Sequence, residues 1–204
     1  MDPRLYAPAT QRNRQPILDV LSRVLPASGT VLEIASGTGE HAVWFAQHLR
    51  PLTWQTSDPD PEMRESIAAH AADAAPARLP HPLDIVARAA SGPADAADAV
   101  VCINMIHIAP WEAALGLFAG AGRLLAQGAP LVLYGPFKRR GEHTAPSNAG
   151  FDESLRAQDP AWGVRDLDGE VVPAAEAEGF VLDEVVEMPA NNLTVVFRKT
   201  GPQG

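Results

Sequence analysis

The stretch Val31-Leu32-Glu33-Ile34-Ala35-Ser36-Gly37-Thr38-Gly39-Glu40-His41 constrains this chain more than any other. An apolar run carrying one acid reads as a buried strand, Thr30 to Ala35, and the glycines read as a tight turn. Ala42, Phe45, Ala46 and Leu49 then form the inward stripe of a helix starting near Glu40. A strand that passes through a glycine turn into a helix is half of a parallel crossover, so the chain is committed to an α/β sheet. Such a turn also lets backbone approach a ligand closely and aims a helix N-terminus at it, the way α/β proteins hold adenosine-bearing cofactors.

The alternation continues along the chain. A helix is expected after Pro16, with Ile17, Leu18, Leu21, Val24 and Leu25 on one stripe. Strands are expected at Leu52 to Thr56, Leu79 to Leu83, Ala99 to Asn104 and Pro130 to Tyr134, with helices at Glu62 to Ala72 and Trp111 to Leu125. Pro80 and Pro82 cannot donate ladder hydrogen bonds, which assigns the Leu79 strand to a sheet edge. Gly135 to Asp168 is rich in Gly, Pro, Asn, Asp and Arg, with a short helical patch near Phe151 to Ala157. It reads as a lid or substrate-binding insertion. A helix at Pro173 to Glu178 leads to strands Phe180 to Glu187 and Leu193 to Lys199, joined as an antiparallel hairpin by Pro189-Ala190-Asn191-Asn192. The expectation is one domain over residues 1–204: a three-layer, Rossmann-like α/β fold with a seven-stranded, mostly parallel sheet and a C-terminal antiparallel hairpin.

Composition narrows the partners. A net charge of -9 opposes a surface that tracks phosphates, and Lys138-Arg139-Arg140 is the one basic cluster, so no nucleic-acid partner is expected. The single cysteine, Cys102, lies in an apolar run, which favours a packed thiol in a reducing compartment. No run approaches the roughly 18 apolar residues of a membrane helix and no signal-peptide core is present, so a soluble, cytoplasmic protein with no membrane partner is expected. The oligomeric state is left open.

Several residues fall where an adenosine cofactor needs them. Gly37 and Gly39 form the turn. Asp58, about 20 residues further on at a strand end, suits ribose hydroxyls. Asp84 could accept from an adenine amino group, and Asn104 borders the crevice where strand order reverses. Each acid alone could equally cap a helix or turn. Gly37 to Ala42 also satisfies G-x-G-x-x-A, so a nicotinamide or flavin enzyme is the rival. Glu33, in a strand position that dinucleotide folds usually fill with an apolar residue, and the terminal hairpin both favour S-adenosyl-L-methionine.

Glu33-x-x-x-Gly37-x-Gly39 resembles motif I of class I S-adenosylmethionine-dependent methyltransferases. Further marks spread the resemblance over nearly the whole chain. They are Arg12-Asn13-x-x-Pro16-Ile17, Ser57-Asp58, Asn104-Met105-Ile106-His107-Ile108-x-Pro110-Trp111, Tyr134-Gly135-Pro136-Phe137, Ser147-Asn148-Ala149-x-Phe151-Asp152 and Asp159-Pro160-x-Trp162-Gly163. Together they resemble the methyltransferase-like proteins of domain-of-unknown-function family 938. The resemblance implies binding of S-adenosyl-L-methionine, with Glu33 and the Gly37–Gly39 turn toward the methionine part, Asp58 at the ribose and Asp84 at the adenine, and Ala35, Ser36 and His41 also count as cofactor-binding.

Methyl transfer from a sulfonium is an in-line displacement, in which the protein mainly positions the acceptor. His107, beyond the Ala99 strand, is the first candidate for a base or orienting residue, and Tyr134 could point a hydroxyl into the same crevice. A histidine capping the next helix and a structural tyrosine hydrogen bond are the plainer readings. His143, Asn148, Asp152 and Arg165 lie in the polar excursion over the acceptor and together suggest a small, polar molecule, although each alone reads as loop-ordering. Arg12 and Asn13 could close over the cofactor carboxylate. The segment after the Ala99 strand is not the Asn/Asp-Pro-Pro-Tyr type used on nucleobase or glutamine amides, and His41, His48, His70 and His81 show no metal-ligand spacing. The leading expectation is a methyltransferase of a small-molecule acceptor. A non-catalytic sensor of the cofactor and a dinucleotide oxidoreductase are the alternatives.

Overall fold

The computed structural model describes residues 2–72, 78–87, 94 and 96–201. In chain order the elements are α1 (Thr10–Val24), β1 (Thr30–Ile34), α2 (Glu40–His48), β2 (Thr53–Thr56), α3 (Pro61–Ala72), β3 (Ala99–Ile103), α4 (Trp111–Leu124), β4 (Pro130–Gly135), β5 (Lys138–Arg139), β6 (Glu142–His143), α5 (Pro146–Gln158), α6 (Val172–Ala177), β7 (Phe180–Met188) and β8 (Asn192–Lys199). Six strands form one sheet in the order β2-β1-β3-β4-β8-β7. The first four run parallel, β8 pairs antiparallel with β4, and β7 closes the hairpin.

Alternation within the strands explains the three layers. Leu32, Ile34, Val100, Cys102, Leu131 and Leu133 face a cluster completed by Leu117, Phe118 and Ala121 of α4 and Ala175 of α6. Val31, Ala99, Val101 and Val132 face the opposite cluster, built with Ile17 and Leu21 of α1 and Ala42 and Phe45 of α2. Strands covered on both faces must be apolar throughout, as β3 and β4 are.

Three expectations need correction. The first helix begins at Thr10, before Pro16, because the Ala9 carbonyl accepts from the Arg12 and Asn13 N–H groups at 3.1 and 3.2 Å. Pro16 forfeits one helical bond, and the added turn carries Arg12 and Asn13 on the helix. Leu79 to Leu83 lies at the expected edge beside β2 but makes a single parallel bridge, Leu83 to Ser57. With Pro80 and Pro82 lacking donors, the Gln55 amide reaches the His81 carbonyl instead, at 2.9 Å. The sheet therefore has six strands and a bridge where seven strands were expected. In the excursion, the helix runs from Pro146 to Gln158, longer than the patch expected near Phe151, and follows the two-stranded β5–β6 ribbon.

The excursion is tied down from within. Arg165 is buried, and its guanidinium donates to the Ile106 carbonyl at 3.0 Å and to the Ala109 and Ala161 carbonyls at 2.8 Å. It also lies over the Trp111 ring, 5.6 Å from the centroid. Replacing Arg165 with leucine strands three acceptors that have few alternatives and should lower stability by about 2–4 kcal/mol. Urea unfolding measures the loss; an unchanged midpoint would mean that these bonds do not secure the excursion.

Candidate functional site

Sheet order reverses between β1 and β3, so the connections leaving their C-terminal ends diverge and open a crevice. Both strand ends turn through left-handed backbone at residues that are not glycine: Ala35 at φ 56° and Asn104 at φ 63°. Such conformations cost roughly 1–2 kcal/mol each and concentrate at functional sites. Gly37 and Gly39 follow at φ 57° and φ 90°. Their surroundings differ. A Cβ on Gly39 would stand 2.8 Å from the Ile67 Cα, so α3 packs directly on that glycine. A Cβ on Gly37 would meet nothing within 4 Å, which leaves room for a ligand against the backbone.

Asp58, at the end of β2, fixes the turn from the side. One carboxylate oxygen accepts from the Gly37 N–H at 3.0 Å, and the other accepts from the Asp60 N–H at 3.0 Å. Burial raises its pKa, against the lowering effect of these two bonds. Beside it lies an apolar recess of about 210 Å³, walled by Ile34, Ala35, Pro59, Ile85, Met105 and Ala109 among others. Asp84 stands next to Ile85 with an exposed side chain, its carboxylate 3.4 Å from Arg64. Arg64 also donates to the Asp58 carbonyl at 2.7 Å and the Pro59 carbonyl at 2.9 Å, so one guanidinium on the first turn of α3 braces both acidic loops.

Glu33 is not open to the crevice. It is 1% exposed and accepts from the Trp54 indole N–H at 3.0 Å. Burial pushes its pKa up to about 7, against hydrogen bonds from Trp54 and Ser36 that favour the anion. The Ser36 hydroxyl oxygen accepts from the Ser57 N–H at 3.2 Å, and the Ser57 hydroxyl donates to the Glu33 carbonyl at 2.7 Å, stitching the ends of β1 and β2 together. Above them, His41 and Asn13 meet at 2.7 Å. Burial and nearby Arg14 push the His41 pKa down to about 4, so the ring is neutral and its Nε2–H donates to the Asn13 oxygen. Burial raises the Tyr134 pKa, against the lowering influence of the Asn13 side chain. Arg12 is exposed on the same turn of α1.

His107 lies beneath the crevice, fully buried, with its ring edge-on to Phe137 at 4.8 Å. Its Nδ1 accepts from the Arg165 N–H at 3.3 Å, which leaves the proton on Nε2. That Nε2 has no partner and faces Gly135, where a Cβ would come within 2.6 Å. Burial, followed by the Arg165 charge, pushes the His107 pKa down to about 3, so the ring stays neutral. Of the four polar residues of the excursion, the structure brings His143 and Asp152 together, whereas Arg165 and Asn148 bond to other partners. Asp152 takes the Val164 N–H at 2.7 Å, Lys138 at 3.1 Å, Arg156 at 3.2 Å and His143 at 3.4 Å. Burial pulls the Asp152 pKa up, but these partners together hold it below the usual carboxylate range. Asn148 donates to the Thr144 hydroxyl at 3.1 Å and the Asn191 carbonyl at 2.9 Å, which ties α5 to the β7–β8 turn.

The fold is shared with solved structures. The chain covers 96% of itself and 58% of an O-methyltransferase family protein from Burkholderia thailandensis, at 18% identity and a TM-score of 0.79. It covers 95% of itself and 53% of human N-acetylserotonin methyltransferase, solved with S-adenosylmethionine, at 13% identity and a TM-score of 0.77. For an O-methyltransferase family 2 protein from Planctomyces limnophilus in complex with apigenin, the shares are 94% and 58%, at 18% identity and a TM-score of 0.79. The chain thus has the class I methyltransferase fold and spans a little over half the length of these structures. It belongs to the family described as protein of unknown function DUF938, whose model matches residues 4–199.

Two predictions separate the roles of these residues. Gly39→Ala drives a Cβ into α3 backbone and should lose about 2–4 kcal/mol, whereas Gly37→Ala meets open space and should lose only the left-handed strain, about 1 kcal/mol. Denaturant midpoints of the two variants check this order. Glu33 binds a proton more readily folded than unfolded, so its contribution to stability falls as pH rises from 4.5 to about 7. The deficit above that range is on the order of 3 kcal/mol. Glu33→Gln should therefore gain stability over wild type across that window and little below it, as read from melting temperatures in a pH series.

Proposed function

We propose that this chain is a methyltransferase that binds S-adenosyl-L-methionine between β1 and β3 and methylates a small, polar molecule. The observation that carries the reading is the pairing of left-handed strand ends, Ala35 and Asn104, with the open space over Gly37 and the Asp58 carboxylate beside it. The groups present fit the cofactor. An ionised carboxylate has about four acceptor positions, and Asp58 uses two, which leaves capacity for ribose hydroxyls. The recess of Pro59, Ile85 and Met105 suits the faces of an adenine, with Asp84 at its rim for the exocyclic amine. Arg12 and Asn13 would close over the amino-acid end, near His41, with Glu33, Ser36 and Gly39 shaping the turn from behind.

The bound cofactor would supply a methyl group on a positively charged sulfur, open to in-line attack by an acceptor lone pair. The chain's own residues hold and orient. Asn104 would present its side chain at the crevice, and Tyr134 would offer a hydroxyl braced by Asn13. His107, neutral and a donor at Nε2, would orient its neighbours and is a poor base at its pKa of about 3. The segment 135–168 would roof the acceptor, with His143, Asn148, Asp152 and Arg165 shaping that roof. The likeness to solved methyltransferases supports an enzyme over a pure cofactor sensor. The charge of -9 supports a small molecule over nucleic acid, and the buried Cys102 accords with the cytoplasm.

Labelled methyl transfer from S-adenosyl-L-methionine into a metabolite extract tests the proposal. A labelled product that appears with wild type and falls at least about tenfold with Asp58→Ala supports it, since that change removes a charged hydrogen-bond partner worth about 1.5–3 kcal/mol. Tight cofactor binding with no labelled product from any extract would favour the sensor.

A further inference from the structure

Residues 2–9 lie across the helices that flank the glycine turn. The Leu5 N–H donates to the Ser66 hydroxyl at 2.9 Å, and the Ala7 N–H donates to the Glu40 carboxylate at 2.6 Å. The Leu5 carbonyl meets His70 Nε2 at 2.9 Å, and the Tyr6 ring stands edge-on to His70 at 5.1 Å. Both of the first two partners also hold Thr38, the residue between the two glycines. The Ser66 hydroxyl donates to the Thr38 carbonyl at 2.8 Å, and the same Glu40 oxygen accepts from the Thr38 hydroxyl at 3.1 Å. The strap and the turn are thus joined twice, each time through a single oxygen atom.

Ser66 is fully buried in the middle of α3, a position where serine gains nothing from helix propensity. Its neighbour Ile67 is the residue packed on Gly39. At its other end the strap feeds straight into α1, which carries Arg12 and Asn13. Strap, turn and roof are therefore one mechanical unit, held shut by individual hydrogen bonds of about 1 kcal/mol each. Elements secured this lightly open locally well before the domain unfolds.

We propose that Ser66 and Glu40 are positioning residues for the methyl donor: they latch residues 2–9 onto Thr38 and so hold the glycine turn and the Arg12–Asn13 roof closed over it. The proposal rests on the reading of the crevice as the donor site. Donor and product must cross that roof, so the latch governs how long they stay.

The test is the release rate of S-adenosylhomocysteine from the full-length protein, followed by stopped-flow displacement, with association rates measured alongside. Ser66→Ala and Glu40→Ala each cut one bridge and should speed release about tenfold, the equivalent of about 1.4 kcal/mol, without slowing association. Glu40→Gln keeps an acceptor oxygen for both partners and should restore release to near wild type, a rescue that a general loosening of the fold would not give. If Ser66→Ala does not fold, the two Glu40 variants decide the matter. Wild-type binding with unchanged release in the variants overturns the latch alone; no binding of S-adenosylhomocysteine by wild type overturns the donor site and the latch with it.

Discussion

The crevice depends on how two neighbouring strands stop. β1 and β3 are hydrogen-bonded along their length, from Val31 beside Ala99 to Ile34 beside Cys102. Beyond that they cannot stay together, because β1 leads toward α2 on one side of the sheet and β3 leads toward α4 on the other. Ala35 and Asn104 absorb the divergence by adopting left-handed backbone. The strain is maintained by what surrounds it. The Asn104 N–H is tied to the Tyr134 carbonyl at 2.8 Å, and the Ser36 N–H is tied to the Ser57 carbonyl at 2.8 Å. Without those anchors on β4 and β2, the crevice would have no fixed width.

The charges of the site divide by environment. Glu33 is sealed under α1 and α2, where burial favours the neutral acid, and its work is to anchor Trp54 and Ser36. Asp58, at the strand end, keeps both oxygens on backbone N–H groups and faces the turn. Asp152 sits among Lys138 and Arg156, where opposite charge favours the anion. These three acids therefore perform different tasks: one locks the sheet, one braces the glycine turn, and one organises the excursion. Half-buried His41 and buried His107 are both held neutral and both donate or face inward through Nε2.

Local pattern made most of the fold legible. The glycine turn, the two-faced burial of the Ala99 and Pro130 strands and the terminal hairpin each follow from spacing within a few residues, and each stands where expected. Tertiary contacts decided the rest. Pro16 reads as a helix start, yet the helix begins earlier, where the Ala9 carbonyl accepts from Arg12 and Asn13, and the segment before it is tethered through Leu5 to Ser66, 61 residues away. The helical patch reads as starting near Phe151, yet proline is well suited to the first position of a helix and α5 starts at Pro146. The Leu79 edge segment was legible as an edge but not in its brevity. Arg64 and Ser66 were invisible as site residues, since nothing in a helical stretch of mixed polarity says that its side chains reach the carbonyls of Asp58, Pro59 and Thr38. For Arg64, the available signal was its place on the first helical turn after Ser57-Asp58.

The central claim is that the crevice between β1 and β3 holds the methyl donor, and a crystal structure of the protein with S-adenosylhomocysteine tests it most directly. The account predicts ribose hydroxyls on the Asp58 carboxylate, the adenine between Pro59, Ile85 and Met105, and the amino-acid end over Gly37 beneath Asn13. A ligand seated elsewhere, or an Asp58 carboxylate still confined to the Gly37 and Asp60 N–H groups with the ligand bound, would contradict it.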